Sequence, residues 1–161
     1  MRGRAVRSLL SGLLALVLTP ACARQSTPSA VLALEVKAAV DSLWTAYAHA
    51  SDRKDAAAFG ALFTEDATLV YSGDPTVHGR EAIQSFLAAH YAPVDPTGLR
   101  IEPEETRVSG SIAVQSGNFQ ESFLQKGVPK VEYGRFILIA EQGAKGSWRI
   151  RRLAAMEDST R

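Results

Sequence analysis

Cysteine is almost missing from this chain, with Cys22 the sole example among 161 residues. A lone thiol closes no internal disulfide and supplies neither a cysteine-based metal site nor a catalytic cysteine pair. Charge of one sign is lacking as well: 18 Lys and Arg stand against 17 Asp and Glu, a formal net charge of +1. Without a concentrated basic surface there is no electrostatic footing for nucleic acid, and none is expected as a partner. The three histidines, His49, His78 and His90, show no ligand spacing, so no metal is expected, nor any other cofactor. Internal repeats and a second domain are also absent from the pattern.

What is present begins with an export signal. Arg2, Arg4 and Arg7 precede an apolar run from Leu9 to Leu18 that is too short to span a bilayer as a mature helix. Residues 1–23 are therefore read as a signal peptide or lipoprotein signal, and the protein as exported to the periplasm or cell envelope. Two cleavage patterns fit. Leu18-Thr19-Pro20-Ala21-Cys22 resembles a bacterial lipobox, which makes Cys22 a lipidation site and the lipid the protein's contact with the membrane. Ala21-Cys22-Ala23 fits small-residue cleavage instead, which leaves a secreted protein. The sole cysteine standing at the end of the apolar run favours the anchor. Residues 24–30 are a polar tether, and 31–158 form one folded domain.

In that domain Val36, Val40, Leu43, Trp44 and Tyr47 recur at helical spacing, which predicts an amphipathic helix from Val31 to Ser51. Asp55 is a fitting N-cap for a short second helix ending at Phe63. Thr64-Glu65-Asp66 reads as an acidic turn, Ala67 to Tyr71 as a first strand, and Gly79 to Tyr91 as a third helix with Ile83, Phe86, Leu87 and His90 on one side. The remainder is β-rich. A strand starts at Leu99 and is interrupted by Pro103, which places it at an edge or a bulge. Strands from Ile112 to Leu124, Val131 to Glu141 and Trp148 to Met156 follow, separated by turns at Gly127-Val128-Pro129 and at Gly143 to Ser147. Helices first and antiparallel strands afterwards predict an α+β fold: three N-terminal helices packed on a curved, mostly antiparallel sheet. Phe136-Ile137-Leu138-Ile139-Ala140 is apolar at both parities, which implies that both sheet faces are covered. A second copy covering the outer face, a homodimer, is favoured over loops capping it.

These placed segments resemble the SnoaL-like and ketosteroid-isomerase-like superfamily, which shares the cone fold of nuclear transport factor two. The resemblance rests on Leu62-Phe63-Thr64-Glu65-Asp66-Ala67, Gly79-Arg80-Glu81-Ala82-Ile83, Gly117-Asn118-Phe119, Gly134-Arg135-Phe136 and Gly146-Ser147-Trp148-Arg149-Ile150. It implies a pocket between helices and sheet, used in that superfamily for isomerisation, dehydration, cyclisation, ligand binding or assembly. In ketosteroid isomerases a tyrosine on the first helix donates to the developing oxyanion, and Tyr47 falls at that position. Tyr71 falls where those enzymes carry an aspartate base, and a phenol with a pKa of about 10 is a poor base. The second oxyanion donor has no counterpart near Tyr133-Gly134-Arg135. The resemblance thus argues against ketosteroid isomerase chemistry.

Tyr47, Tyr71, His90, Phe119, Glu121, Tyr133 and Arg152 are the residues expected to line the pocket, with Tyr47, His90 and Glu121 as catalytic candidates. Glu121 alternates with Phe119 and Phe123, so on a concave face it is a desolvated acid with a raised pKa, and on a convex face a surface charge paired with Arg135 or Arg152. Arg152 shares parity with Trp148 and Ile150, which directs its guanidinium inward unless a bulge intervenes. The Gly143 to Ser147 segment lacks phosphate-loop spacing, and Arg149, Arg151 and Arg152 read as a solvated strand face. The expected function is binding of a small, largely apolar molecule in the cone. The alternatives are a lyase or isomerase acting on a carbonyl compound and an assembly module of the envelope.

Overall fold

The computed structural model describes residues 28–161, which form three helices and six strands; residues 1–27, with Cys22, lie outside the described part. Helix α1 (Pro28–Arg53) buries Val36, Val40, Leu43, Trp44, Tyr47 and Ala50 along one stripe. It ends where Lys54 turns left-handed, at φ 51°. The backbone N–H of Ala58 then donates to Asp55 Oδ1 at 3.0 Å, so Asp55 caps helix α2 (Ala56–Leu62) as expected.

Phe63 does not end that helix. It is extended, at φ −100° and ψ 152°, and opens strand β1 (Phe63–Tyr71). The expected acidic turn is an irregular stretch inside β1, where Phe63 pairs with Ile150 but Thr68 already pairs with Arg152. Phe63 and Ala67 are both fully buried while Glu65 and Asp66 face solvent, and the Thr64 hydroxyl donates to Asp66 Oδ1 at 2.9 Å. Local polar bonding thereby replaces part of the ladder. Strand β2 (Val77–His78) is too short for any alternation to announce it. Helix α3 (Arg80–Tyr91) buries Ile83, Leu87 and Tyr91.

Four long strands follow: β3 (Val94–Ser109), β4 (Ile112–Gln125), β5 (Val128–Gln142) and β6 (Trp148–Thr160). They form an antiparallel meander, with β1 added parallel to β6, in the order β2-β1-β6-β5-β4-β3. Strand β3 starts earlier than expected and runs through Pro103. Its register slips after Pro96 and after Pro103, and as an edge strand it can present proline's missing N–H where no ladder bond is needed. The β4–β5 turn is Lys126-Gly127, with φ 52° and 77°, one residue earlier than expected, and Val128 already pairs with Gln125.

The helices cover the inner face of this curved, open sheet. Glu132, Phe136, Leu138 and Ala140 point into that core. On the outer face, Val70, Val114 and Ile137 remain 41%, 39% and 46% exposed, so both parities of β5 carry apolar side chains but one of them faces outward.

Candidate functional site

Tyr47 from α1, Tyr71 from β1, Tyr91 from α3 and Phe119, Glu121 and Phe136 from the sheet surround a chamber inside the cone. Its free space is about 30 Å³, room for a water molecule and not for a substrate. Trp44 walls it on the α1 side. The indole N–H donates to Gln115 Oε1 at 2.7 Å, and the Gln115 amide donates to Asp41 Oδ1 at 2.9 Å and Thr106 Oγ1 at 3.0 Å. A fully partnered amide of this kind fixes the indole plane.

Two grooves adjoin the chamber. One, of about 480 Å³, runs between α1 and β3 and shares Trp44, Leu99 and Ile101 with it. The other, of about 270 Å³, lies between the end of α3 and the β4–β5 hairpin and shares Tyr91 and Glu121. Glu121 therefore stands in the wall between the chamber and this second groove.

The chemistry concentrates at that wall. The two-residue turn sets Glu121 directly opposite Glu132 across β4 and β5, and both are buried, at 5% and 7% exposure. Side chains so paired have Cβ atoms about 4.5–5.5 Å apart. None of the ion pairs among the described residues includes either acid. Burial pushes the Glu121 carboxyl up to about 7, and the charge of Glu132 adds to the rise, while hydrogen bonds from Tyr91 and Ser51 oppose it. The Ser51 contact is long, at 3.5 Å. Burial also raises Glu132, against the Tyr71 hydroxyl that donates to its Oε1 at 2.8 Å.

The tyrosines are held protonated. Burial first, and then the nearby carboxylates, push Tyr47 and Tyr71 well above the ordinary phenol value; Tyr91 rises through burial, Tyr47 and Glu121. Tyr91, Tyr47 and Glu121 line the same chamber and shift one another's pKa, so the three form a cluster of proton-bearing groups. His90 lies on the rim of the second groove, its ring 4.8 Å from that of Tyr71 and 5.0 Å from that of Tyr91. Burial lowers its pKa, which favours the neutral imidazole.

Tyr47, Tyr71, Phe119 and Glu121 thus line the chamber, and His90 reaches the adjoining groove. Tyr133 and Arg152 do not. Tyr133 sits on the outer parity of β5 beneath the Arg161 guanidinium, 5.8 Å from its ring. Arg152 is turned outward by a bulge, since Ala140 pairs with Ile150 and Ile139 with Arg152, which leaves Arg151 as the extra residue. The Arg152 Nη1 donates to the Asp66 carbonyl at 3.2 Å. Tyr91, Glu132, Ser51 and Trp44 were not anticipated in the site. Glu132 shares its parity with Phe136 and Leu138, but Ile137 and Ile139 make the other parity apolar as well, so the β4–β5 register is the signal that could have found it. Among the described residues no group of three or more His, Cys, Asp or Glu side chains is arranged to hold a metal.

A carboxylic acid poised near neutrality, beside protonated phenols and out of bulk water, can donate and accept protons from a bound molecule. Solved structures share the fold. A ketosteroid isomerase-like protein from Erwinia carotovora atroseptica aligns with a TM-score of 0.67 at 22% identity, over 76% of this chain and 95% of that one. A candidate scytalone dehydratase from Novosphingobium aromaticivorans gives 0.65 at 18%, over 80% and 87%. A nuclear-transport-factor-two-like protein with a cystatin-like fold, from the same organism, gives 0.68 at 20%, over 83% and 92%. No curated protein matches significantly. The sequence profile of the SnoaL-like domain matches residues 32–154, most of the described chain, and the protein belongs to the SnoaL-like domain family.

Proposed function

We propose that this domain is a proton-transferring lyase or isomerase for a small, largely apolar, carbonyl-containing molecule, with Glu121 as its acid-base group. The observation that carries the reading is the position of Glu121: buried, opposite a second carboxyl, and in one chamber with the Tyr91 and Tyr47 phenols. Substrate enters from the groove that Tyr91 and Glu121 share with the chamber, and the chamber, too small at rest to hold it, widens as its walls turn aside. Tyr47 and Tyr91 donate to the carbonyl oxygen as charge builds there, while Glu121 removes a proton from the adjacent carbon and returns it elsewhere on the molecule or to a leaving hydroxyl. Tyr71, bonded to Glu132, keeps the second carboxylate oriented.

Binding without chemistry is the second reading, favoured by the apolar walls of the chamber and its small resting volume. The test is a panel of cyclic β,γ-unsaturated ketones and β-hydroxy ketones, followed by the absorbance of the conjugated enone formed. Turnover above buffer that falls by about 10²–10⁴ in a folded Glu121→Gln protein is expected for a general acid-base. Compounds that bind in calorimetry and are returned unchanged support the binder, and compounds that neither bind nor react overturn both readings.

The same proposal places the domain outside the cytoplasm, after export on residues 1–23, tethered by lipid at Cys22 in the envelope or otherwise secreted. No described helix is long and apolar enough to cross a membrane. It also includes a homodimer formed through the outer sheet face, where Val70, Val114 and Ile137 are exposed.

A further inference from the structure

Two carboxyl groups lie opposite each other on the inner side of β4 and β5, and among the described residues no cation pairs with either. Glu132 accepts from the Tyr71 hydroxyl through Oε1 alone, and among the described residues no donor reaches its other oxygen. Every fully enclosed side-chain N and O atom there has a partner, so this second oxygen is not fully enclosed, although Glu132, which lines the groove, is only 7% exposed as a whole. Lys130 lies two residues along the same face of β5 and makes no ion pair with it. His90, on the rim, is held toward its neutral form by burial and adds no positive charge.

A buried carboxyl pair without a counter-charge is costly, because each ionised form is desolvated and repelled by the other. Proteins usually relieve that cost with an arginine or lysine, and this groove has none. Its remaining walls include Tyr91 and Phe123, with the Tyr71 ring behind Glu132. Aromatic faces attract a positive charge through the ring quadrupole, most of all a weakly hydrated one. The groove's volume of about 270 Å³ accommodates a substituted ammonium group.

We propose that the groove beside Glu121 and Glu132 binds an organic cation, a substituted ammonium that forms the charged end of the molecule this domain handles. The proposal deepens the small-molecule reading above and rests on it: the ammonium lies in the groove, against Glu132, and the apolar, reacting end points through the wall into the chamber. The ligand's own charge then supplies the missing counter-ion.

Choline and its uncharged isostere 3,3-dimethylbutan-1-ol differ at one atom and serve as the probes, titrated by calorimetry into the full-length protein. Choline is expected to bind at least ~10-fold more tightly, the scale of one charge contact at about 1.4 kcal/mol. Glu132→Gln, checked for an unchanged thermal midpoint, is expected to abolish the preference; if it does not fold, the two probes on the wild-type protein decide. Equal binding of the isostere, no binding of either, a preference that survives in Glu132→Gln, or calcium chloride binding in place of choline overturns the proposal. Turnover of neutral ketones with no preference for choline overturns it while leaving the proton-transfer reading intact. A choline preference with no turnover of any ketone, neutral or ammonium-bearing, upholds it and removes the catalytic reading.

Discussion

Glu121 holds its proton to about pH 7 because the fold strips its carboxyl of water and sets Glu132 opposite. That has a consequence for stability. An acid whose pKa is raised from 4.5 to about 7 on folding binds its proton more tightly folded than unfolded. Its penalty is smallest below about pH 4.5, grows as pH rises from there to 7, and is constant above. The full shift is worth about 3 kcal/mol. Glu121→Gln stays neutral throughout, so the fall in stability between pH 5 and pH 8, read from urea unfolding, is expected to shrink by about 2 kcal/mol relative to wild type. Parallel pH profiles for the two proteins would contradict a buried, proton-bearing Glu121. The acids facing this carboxyl, Glu132 and Asp52, and the hydroxyls beside it, Tyr91 and Ser51, are unaltered by the substitution. At this scale the sequence was readable wherever alternation was clean: Phe119 and Glu121 follow Ala113 and Gln115 inward without interruption.

Strand β5 resisted the same reading because both of its parities are apolar, so alternation could not say that Tyr133 faces out and Glu132 in. The missing information was the register, and the register depends on the β4–β5 turn. Placing that turn at Gly127-Val128-Pro129 hides the pairing, whereas a two-residue Lys126-Gly127 loop puts Glu121 opposite Glu132 by counting alone. Both turn residues have positive φ, and Lys126 is a poor choice at 52°. Lys126→Asn is therefore expected to stabilise the hairpin by about 0.5–1 kcal/mol and raise the thermal midpoint by a few degrees, in a differential scanning measurement. A lower midpoint would show that Lys126 makes a contact the backbone does not reveal. Arg152 was misplaced for a related reason. The bulge at Arg151 inserts one residue, and a single extra residue sends the side chains that follow, as far as the second irregularity at Asp158, to the opposite face. Nothing in Trp148-Arg149-Ile150-Arg151-Arg152 marks that insertion. The expected acidic turn failed differently, since Thr64-Glu65-Asp66 has turn composition but is flanked by Phe63 and Ala67, whose burial keeps the chain in the sheet.

The whole domain combines a cone with little free space inside and a sheet that leaves apolar side chains on its outer side. Ile137 and Val114 are the exposed members nearest the sheet's middle, on adjacent strands β5 and β4. Ile137→Arg buries nothing new in a monomer, but it would place a charge inside the proposed interface. Wild-type protein at micromolar concentration is expected to sediment as a dimer and Ile137→Arg as a monomer with a similar circular-dichroism spectrum; a monomeric wild type would contradict the dimer. The fold class was legible from element order because three helices followed by long strands leave few ways to pack. The chamber's small size was not, since it depends on how Trp44, Tyr47, Tyr91 and Phe136 interlock. The account as a whole stands on a neutral-pH acid inside that chamber. Its most direct test is a carbon-13 titration of the glutamate side-chain carboxyls, with Glu121→Gln to assign the resonance. A Glu121 midpoint near 7, shifted downward when Glu132→Gln removes the opposing charge, is the predicted result. A Glu121 that titrates at the ordinary carboxylate value of 4.5 would contradict the proposed proton transfer.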